Sequence, residues 1–420
     1  MRNTQKIFGS IDIVCIILYL FLIIFGWTNI YASLYNDDTT ISIFNLSTKY
    51  GKQLMFIGIS ILLSIIILII DWRFFDSFSF ILYISSIILL IWVLFNPSVN
   101  GASSWFNLGE FKFQPSEIAK CTTALALAKM FSINKKSQKS FSYMIKSYIL
   151  IAIPMFLIIL QNDLGTAIIF TSFILVFYRE GLSGNVLIII LIASLLCILS
   201  LLINYLLLII ITSIIITLMY FYNSKRNRSL KISIALTLTS IMIIMGTQYT
   251  FKNILAPHHV ERINITLGKE IDPMGAGYNL LQSKIAIGSG EWSGKGFLNG
   301  TQTRFDFVPE QSTDFIFCTI GEEWGFLGSL IFIIIFMSLL LRIIYLAEKQ
   351  KSQFSRVYGY SLACILFTHL FINIGMTIGL APVIGIPLPF ISYGGSSLIG
   401  FTALLFIFLN LDSHRMDILR

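Results

Sequence analysis

Charge is what this sequence has least of. Only 12% of its 420 residues are Asp, Glu, Lys or Arg, against 56% hydrophobic, where a soluble globular domain carries about a quarter charged residues. That deficit excludes an ordinary soluble domain and places the chain in lipid. Cysteine is scarce too, and Cys15, Cys121, Cys197, Cys318 and Cys364 sit in or beside apolar runs without metal-type spacing. They read as small buried residues and carry no redox argument. The first apolar run is long and has no small-residue cleavage pattern behind it, so it is expected to remain as the first anchor.

What the sequence has in abundance is apolar runs long enough to cross a hydrocarbon core of about 30 Å. Spans are expected near 11–32, 53–70, 77–95, 115–131, 148–161, 164–178, 185–203, 206–222, 232–249, 313–346, 357–380 and 390–410. As one helix, 185–222 would be about 57 Å long, nearly twice the core, so it is divided into a hairpin at Asn204. The fold class that follows is an all-α polytopic membrane protein, one domain over 1–420, with about twelve transmembrane helices.

Orientation follows from the cations, because basic loops are retained on the cytoplasmic side. They cluster at Arg2 and Lys6; at Arg73; at Lys135, Lys136, Lys139 and Lys146; at Arg179; at Lys225, Arg226, Arg228 and Lys231; at Lys349, Lys351 and Arg356; and at Arg415 and Arg420. With twelve crossings all fall inside, so both termini are expected to be cytoplasmic. The net charge of +8 then reflects topology, and no nucleic-acid partner is expected.

The outward polar sequence comprises 33–52, 96–114 and 250–312. Only the last is large enough to hold a site by itself, and a loop of that length is either disordered or functional. It is not low-complexity: eight glycines are mixed with Tyr278, Trp292, Phe297, Phe305 and Phe307, which favours an ordered surface. Glycines at 288, 290, 294, 296 and 300 allow tight turns and close approach of backbone amides to a ligand, or simply a turn-rich loop.

Ionisable residues at membrane depth are costly, hence functional candidates. Glu117 and Lys120, three apart, can meet on one helix face, as a site or as an internally neutralised pair. Asp163 falls at a turn, where it could equally cap a helix. Asp314 stands at the start of the 313–346 span, with Glu310 four residues earlier; helix capping is its bland reading. Glu322 and Glu323, further along, read as partners of a buried base.

At this point the strings become specific. NGASSWFNLGEFKFQPSEIAK (100–120), QNDLGTAI (161–168), DPMGAGYNLLQSKIAIGSG (272–290), GKGFLNGTQTRFDFVPEQSTDFIFCTIGEEWGFLG (294–328) and NIGMTIGLAPVIGIPLPFISYGGSS (373–397) cover about a quarter of the chain. In family order, they resemble the SEDS family of shape, elongation, division and sporulation proteins. VPEQSTDFIF followed by GEEWGFLG is more similar to the RodA elongation branch than to the FtsW division branch.

The resemblance implies a peptidoglycan glycosyltransferase of the bacterial cytoplasmic membrane. Such an enzyme polymerises lipid II at the outer leaflet, beside a class B penicillin-binding protein that crosslinks and other elongation-complex membrane proteins. The family's catalytic aspartate falls on Asp314, suited to act as general base on an acceptor sugar hydroxyl. The leaving pyrophosphate needs cationic, amide or metal partners, for which Lys120, Arg262, Lys284 and Lys295 are the candidates. Glu117, Lys120 and Asp163 match cavity positions, and Trp105, Gln282, Ser283, Gln311 and Thr313 lie inside matched motifs. A divalent cation is compatible with this chemistry, with no ligands assigned.

Three departures stand out. Ser103 and Ser104 replace basic residues that relatives often carry before the tryptophan of the first motif. Asn162 replaces the usual proline of the second, with an expected local effect, since proline chiefly restricts its predecessor. The family core has ten spans, so a surplus pair is expected within 185–249; an even insertion leaves 250–312 and Asp314 outside. Two rival readings remain: a lipid II flippase or transporter, because intramembrane charges also serve transport, and a non-catalytic scaffold of the wall-synthesis complex.

Overall fold

The structure is a computed structural model that describes residues 11–35, 42–97, 103–109, 111–133, 141–222, 229–269, 275, 277–305 and 307–415. The cations at Arg2, Lys6, Lys135, Lys136, Lys139, Lys225, Arg226, Arg228 and Arg420 lie outside the described residues. In chain order the elements are α1 Ile13–Ser33, α2 Lys49–Ile69, α3 Trp72–Val93, β1 Phe106–Leu108, β2 Phe111–Phe113, α4 Pro115–Ile133, α5 Phe141–Leu160, α6 Leu164–Thr171, α7 Phe173–Arg179 and α8 Gly184–Leu202. There follow α9 Tyr205–Tyr222, α10 Leu230–Asn253, α11 Pro257–Thr266, α12 Tyr278–Ser289, α13 Thr301–Arg304, α14 Ile316–Glu348, α15 Gln353–Thr377 and α16 Gly395–Ser413.

Ten of the described helices are long and apolar enough to cross a membrane. The two other expected spans are helical as well, but differ in kind. Helix α4 carries Glu117, Lys120 and Lys129, and 164–178 forms two short helices that meet at Ser172. The all-α expectation needs one amendment, a two-stranded antiparallel hairpin of β1 and β2 in which Phe106 pairs with Phe113.

The chain resolves into two compact units, Met1–Glu180 with Tyr278–Arg420, and Gly181–Gly277. In the first, α4 packs between α3 and α15, α16 lies on α2, and α14 contacts α1, α12 and α15. Helices α15 and α16 are its centre, with 67% and 72% of their apolar windows buried. At the end of this unit away from the 311–315 turn, arginines join the helices: Arg342 to Asp12 and Arg356 to Glu180.

In the second unit, α8, α9 and α10 pack on one another, yet no more than 11% of any window is buried. Such apolar surface suits lipid and not water. The run 185–222 breaks at Ile203 and Asn204, where Asn204 Oδ1 accepts from Leu206 N at 3.0 Å. This local side-chain bond competes with helix continuation.

Two expected spans are shorter or less regular than the hydropathy implies. The one expected from 390 begins at Gly395, because 378–394 contains Pro382, Pro387 and Pro389 together with positive φ at Gly379, Gly385 and Phe390. Proline removes helix donors and positive φ leaves the helical basin. Helix α14 is interrupted at Gly325, with φ 63° and ψ −162°.

Inside a membrane a broken helix is tolerated only where other protein groups satisfy the freed backbone. Here the segment 291–296 does so. Phe326 N and Leu327 N donate to Glu291 O and Trp292 O, while Lys295 N and Gly296 N donate to Glu322 O and Glu323 O, all between 2.9 and 3.1 Å. The exchange needs glycines: a Cβ at Gly294, itself at φ +79°, would lie 2.1 Å from Glu323 O, and one at Gly290 2.0 Å from Gly321 O. The close approach expected of this glycine-rich loop is thus to α14.

Candidate active site

Asp314 stands in the 311–315 turn, two residues before α14. The helix N-cap is Phe315, whose side chain makes no cap bond, so Asp314 stands one residue ahead of the capping position. Its side chain is half-buried, and a Cβ built on Gly385 would lie 3.3 Å from its Oδ2. The carboxylate therefore rests on the bare backbone of the 378–394 loop.

The turn is held from several directions. It begins at Glu310, a non-glycine residue at φ 58°, a conformation that persists only where surroundings enforce it. Glu310 O accepts from Thr313 N and Phe315 N at 3.1 and 3.2 Å, and Glu310 Oε2 accepts from Thr313 Oγ1 at 2.8 Å. Gln311, 3% exposed, donates to Ser33 O at the end of α1 at 2.7 Å. Ser392 Oγ donates to Thr313 O at 2.7 Å, Tyr393 N to Ser312 O at 2.8 Å, and Asn373 Nδ2 to Asp314 O at 2.8 Å.

One cation that the sequence reading passed over meets this turn, and a second lies near Tyr393 of the 378–394 loop. Lys49, at the start of α2, donates to Ser312 Oγ at 3.2 Å. Burial pushes the Tyr393 hydroxyl above its ordinary pKa, and the positive charge of nearby Lys52 offsets part of that rise. The only advance signal was KYGKQ at the rim of the second span, with Lys49 and Lys52 three apart on one helix face.

Asp163 caps α6, accepting from Thr166 N at 3.0 Å and Thr166 Oγ1 at 2.8 Å. It also accepts from Gln114 Nε2 at 2.8 Å, which ties the β1–β2 hairpin to it. The hairpin is anchored on α16 as well, where Ser396 Oγ donates to Lys112 O at 2.7 Å. Trp105 is partly exposed at its edge, its carbonyl accepting from Asn96. A Cβ on Gly165 would lie 2.5 Å from Ile384 O, so the first turn of α6 abuts the loop that carries Gly385.

Asn162 has φ 60°, which proline, locked near −65°, cannot adopt. The effect of this substitution is therefore not confined to the preceding residue: the turn itself takes a form closed to proline.

Lys120 was a candidate for holding pyrophosphate, but it is 0% exposed. Its ammonium donates to Glu117 Oε1 at 2.8 Å and to His369 Nε2 at 3.0 Å and lies 4.6 Å from the centre of the Phe401 ring. It is a core residue, and His369 is a partner that the sequence reading missed. Lys295 is likewise committed. It donates to Glu322 Oε1 at 2.7 Å and to Thr301 Oγ1, which makes it the base expected to partner Glu322. That carboxylate also receives the backbone N–H groups of Thr301, Gln302 and Thr303, capping α13.

Lys284 is exposed on α12 and packs on Gly379, where a Cβ would lie 2.5 Å from Nζ. Ser283 is buried, donating to Thr377 O at 3.0 Å, with Gln282 half-buried beside it. Arg262 lies on α11, in the second unit. Among the described residues no group of three or more His, Cys, Asp or Glu side chains is gathered as a metal set.

A bundle of apolar helices with buried ion pairs, carrying at one end a turn-borne carboxylate among polar loops, defines a multi-pass membrane protein with its candidate chemistry at that end. The sequence matches the family model of FtsW, RodA and SpoVE, described as cell cycle protein, over residues 12–209 and 204–417. The chain belongs to this family.

It is similar to the peptidoglycan glycosyltransferase MrdB of Escherichia coli (strain K12), 33% identical over 365 residues, 86% of this chain and 84% of that protein. It is also similar to the peptidoglycan glycosyltransferase RodA of Treponema pallidum (strain Nichols), 30% identical over 416 residues, 93% and 94% of the two chains. Its fold is that of a chain in a peptidoglycan synthase complex studied for the coordination of polymerization and crosslinking, with a TM-score of 0.71, 24% identity and coverage of 97% and 98%. The crystal structure of Thermus thermophilus RodA shares it too, with a TM-score of 0.61, 22% identity and the same coverage.

Proposed function

We propose that this chain is a peptidoglycan glycosyltransferase of the RodA type that polymerises lipid II at the outer face of the bacterial cytoplasmic membrane, with Asp314 as general base. The observation that carries the site is the turn itself: a half-buried carboxylate on a backbone clamped by α1, α15 and the 378–394 loop. An acceptor sugar hydroxyl within hydrogen-bond reach of Asp314 loses its proton to the carboxylate as its oxygen attacks the donor's anomeric carbon. A single displacement inverts that carbon with no covalent glycosyl-enzyme. The departing pyrophosphate is anionic, and the cation that suits it is Lys49, which touches the turn at Ser312, rather than the buried Lys120 or the neutralised Lys295. Lys284 and Arg262 are secondary candidates.

The orientation is inferred from charge. Lys129, Arg179, Arg342, Arg356 and Arg415 pair with acids at the end of the first unit away from Asp314, which supports cytoplasmic termini and an outward site. Region 185–249 is read as a helix pair added to the family core, with a lipid-facing surface. A class B penicillin-binding protein would supply crosslinking within an elongation complex.

The test is polymerisation of labelled lipid II by the full chain and by Asp314→Asn, each with its crosslinking partner and at equal folded yield. Polymer from the wild type alone supports the reading. Polymer from both removes Asp314 from the chemistry, and polymer from neither overturns the transferase assignment.

A further inference from the structure

The 378–394 loop supplies the surface on which the Asp314 carboxylate rests, yet it is irregular, with three prolines and three residues at positive φ. Its geometry must therefore come from what grips it. Helix α15 presents two side chains four residues apart, His369 and Asn373, which share one helix face and are 2% and 0% exposed. They grip consecutive peptide units: His369 Nδ1 lies 3.1 Å from Pro387 O, and Asn373 Nδ2 lies 2.7 Å from Ile386 O.

The amide of Asn373 does more. Its second hydrogen goes to Asp314 O at 2.8 Å, so one NH2 group joins the turn that carries the carboxylate to the loop beneath it. Both partners are carbonyl oxygens, which only accept, so the nitrogen must face them.

The tautomer of His369 follows by the same reasoning. Pro387 O can only accept, so Nδ1 carries the hydrogen. Nε2 must then accept, and it receives the Lys120 ammonium at 3.0 Å, a group that can only donate. Lys120 is in turn held by Glu117 at 2.8 Å. The buried pair thus selects the one tautomer of His369 that can hold the loop, as outer hydrogen bonds select the tautomer of a metal-bound histidine.

We propose that His369 and Asn373 are positioning residues, set by the buried Glu117–Lys120 pair, that hold the 385–387 backbone and the Asp314 turn in one register and so aim the Asp314 carboxylate. This rests on Asp314 being the base. It gives the matched charges of α4 a role through the loop, with no contact to substrate.

Two amide replacements separate this from a purely structural role. Asn places its amide nitrogen near the position of imidazole Nδ1, keeping the bond to Pro387 O while losing Lys120. Gln places its amide near Nε2, keeping Lys120 satisfied while releasing the loop. If His369 serves only to satisfy the buried lysine, Gln is the better replacement; if it positions the loop, Asn is.

The measurement is the initial rate of labelled lipid II polymerisation against substrate concentration. The proteins are the full chain and its His369→Asn, His369→Gln, Asn373→Leu and Asp314→Asn variants, each with its crosslinking partner and matched for folded yield and thermal midpoint. We expect kcat to fall about 100-fold in His369→Gln and Asn373→Leu with KM unchanged, the scale of a misplacement of about 1 Å, and His369→Asn to retain most of the rate. His369→Gln equal to or faster than His369→Asn, or a wild-type kcat in Asn373→Leu, overturns the positioning role while an inactive Asp314→Asn leaves the base reading standing. An active Asp314→Asn overturns the base reading and this inference with it.

Discussion

The Glu117–Lys120 pair makes a quantitative prediction about stability. Its N–O distance is 2.8 Å and its side chains are 0% and 3% exposed, so neither charge can be recovered by water when the other is removed. Lys120→Met leaves an uncompensated buried carboxylate, and Glu117→Leu leaves an uncompensated buried ammonium; each should cost about 3–5 kcal/mol. The double replacement removes both charges. Leucine removes the charge at 117 while keeping an apolar side chain, and methionine at 120 keeps a favourable contact with the Phe401 ring. What remains is His369 Nε2 without its donor, about 1–3 kcal/mol.

The double variant should therefore be more stable than either single one, and the coupling between the two positions should be about 3 kcal/mol or more. The assay is a double-mutant cycle on reversible unfolding in mixed micelles, followed by tryptophan fluorescence. If the double loses as much stability as the two singles added together, the two positions are uncoupled and Glu117 and Lys120 do not compensate each other. Polymerisation should stay low in the stabilised double variant, because His369 has lost the group that selects its tautomer.

Three further outcomes follow from local geometry. Glu322→Ala takes the charged partner from Lys295 and the acceptor from three backbone N–H groups, so stability should fall by about 3 kcal/mol and folded yield with it; a normal yield with lost polymerisation would instead move Glu322 into the chemistry. Gly294→Ala puts a Cβ 2.1 Å from Glu323 O at φ +79° and should lower the thermal midpoint, whereas Gly288→Ala meets nothing within 4 Å and should not; equal midpoints would refute the exchange at the α14 break. Asn162→Pro should destabilise the turn before α6, since φ 60° is closed to proline, while Asn162→Gly should be tolerated; a folded, stable proline variant would refute the assigned turn.

Much of this protein follows from its sequence because much of it is local. An apolar run of sufficient length makes a membrane helix wherever it occurs, since lipid leaves the backbone no other partner than itself. The meeting of Glu117 and Lys120 is local too, set by three residues of helix, and so is the cap that Asp163 places on α6. The choice of Asp314 as candidate base rests on the motif around it, which is local in the same sense.

What only the tertiary structure decided lies between residues distant in the chain. Lys120 meets His369 across 249 positions and Lys49 meets Ser312 across 263, and no periodicity carries that information. So Lys120 passed for a substrate-facing cation and Lys49 went unnoticed. The glycines of 288–300 suggested close approach to a ligand, whereas Gly290 and Gly294 meet the backbone of α14, and the hydropathy of 313–346 hid the break at Gly325 because the bonds that heal it come from 291–296. Apolar patterning determines which segments enter the membrane; which buried polar groups satisfy one another is determined by packing, where every donor must find an acceptor at once.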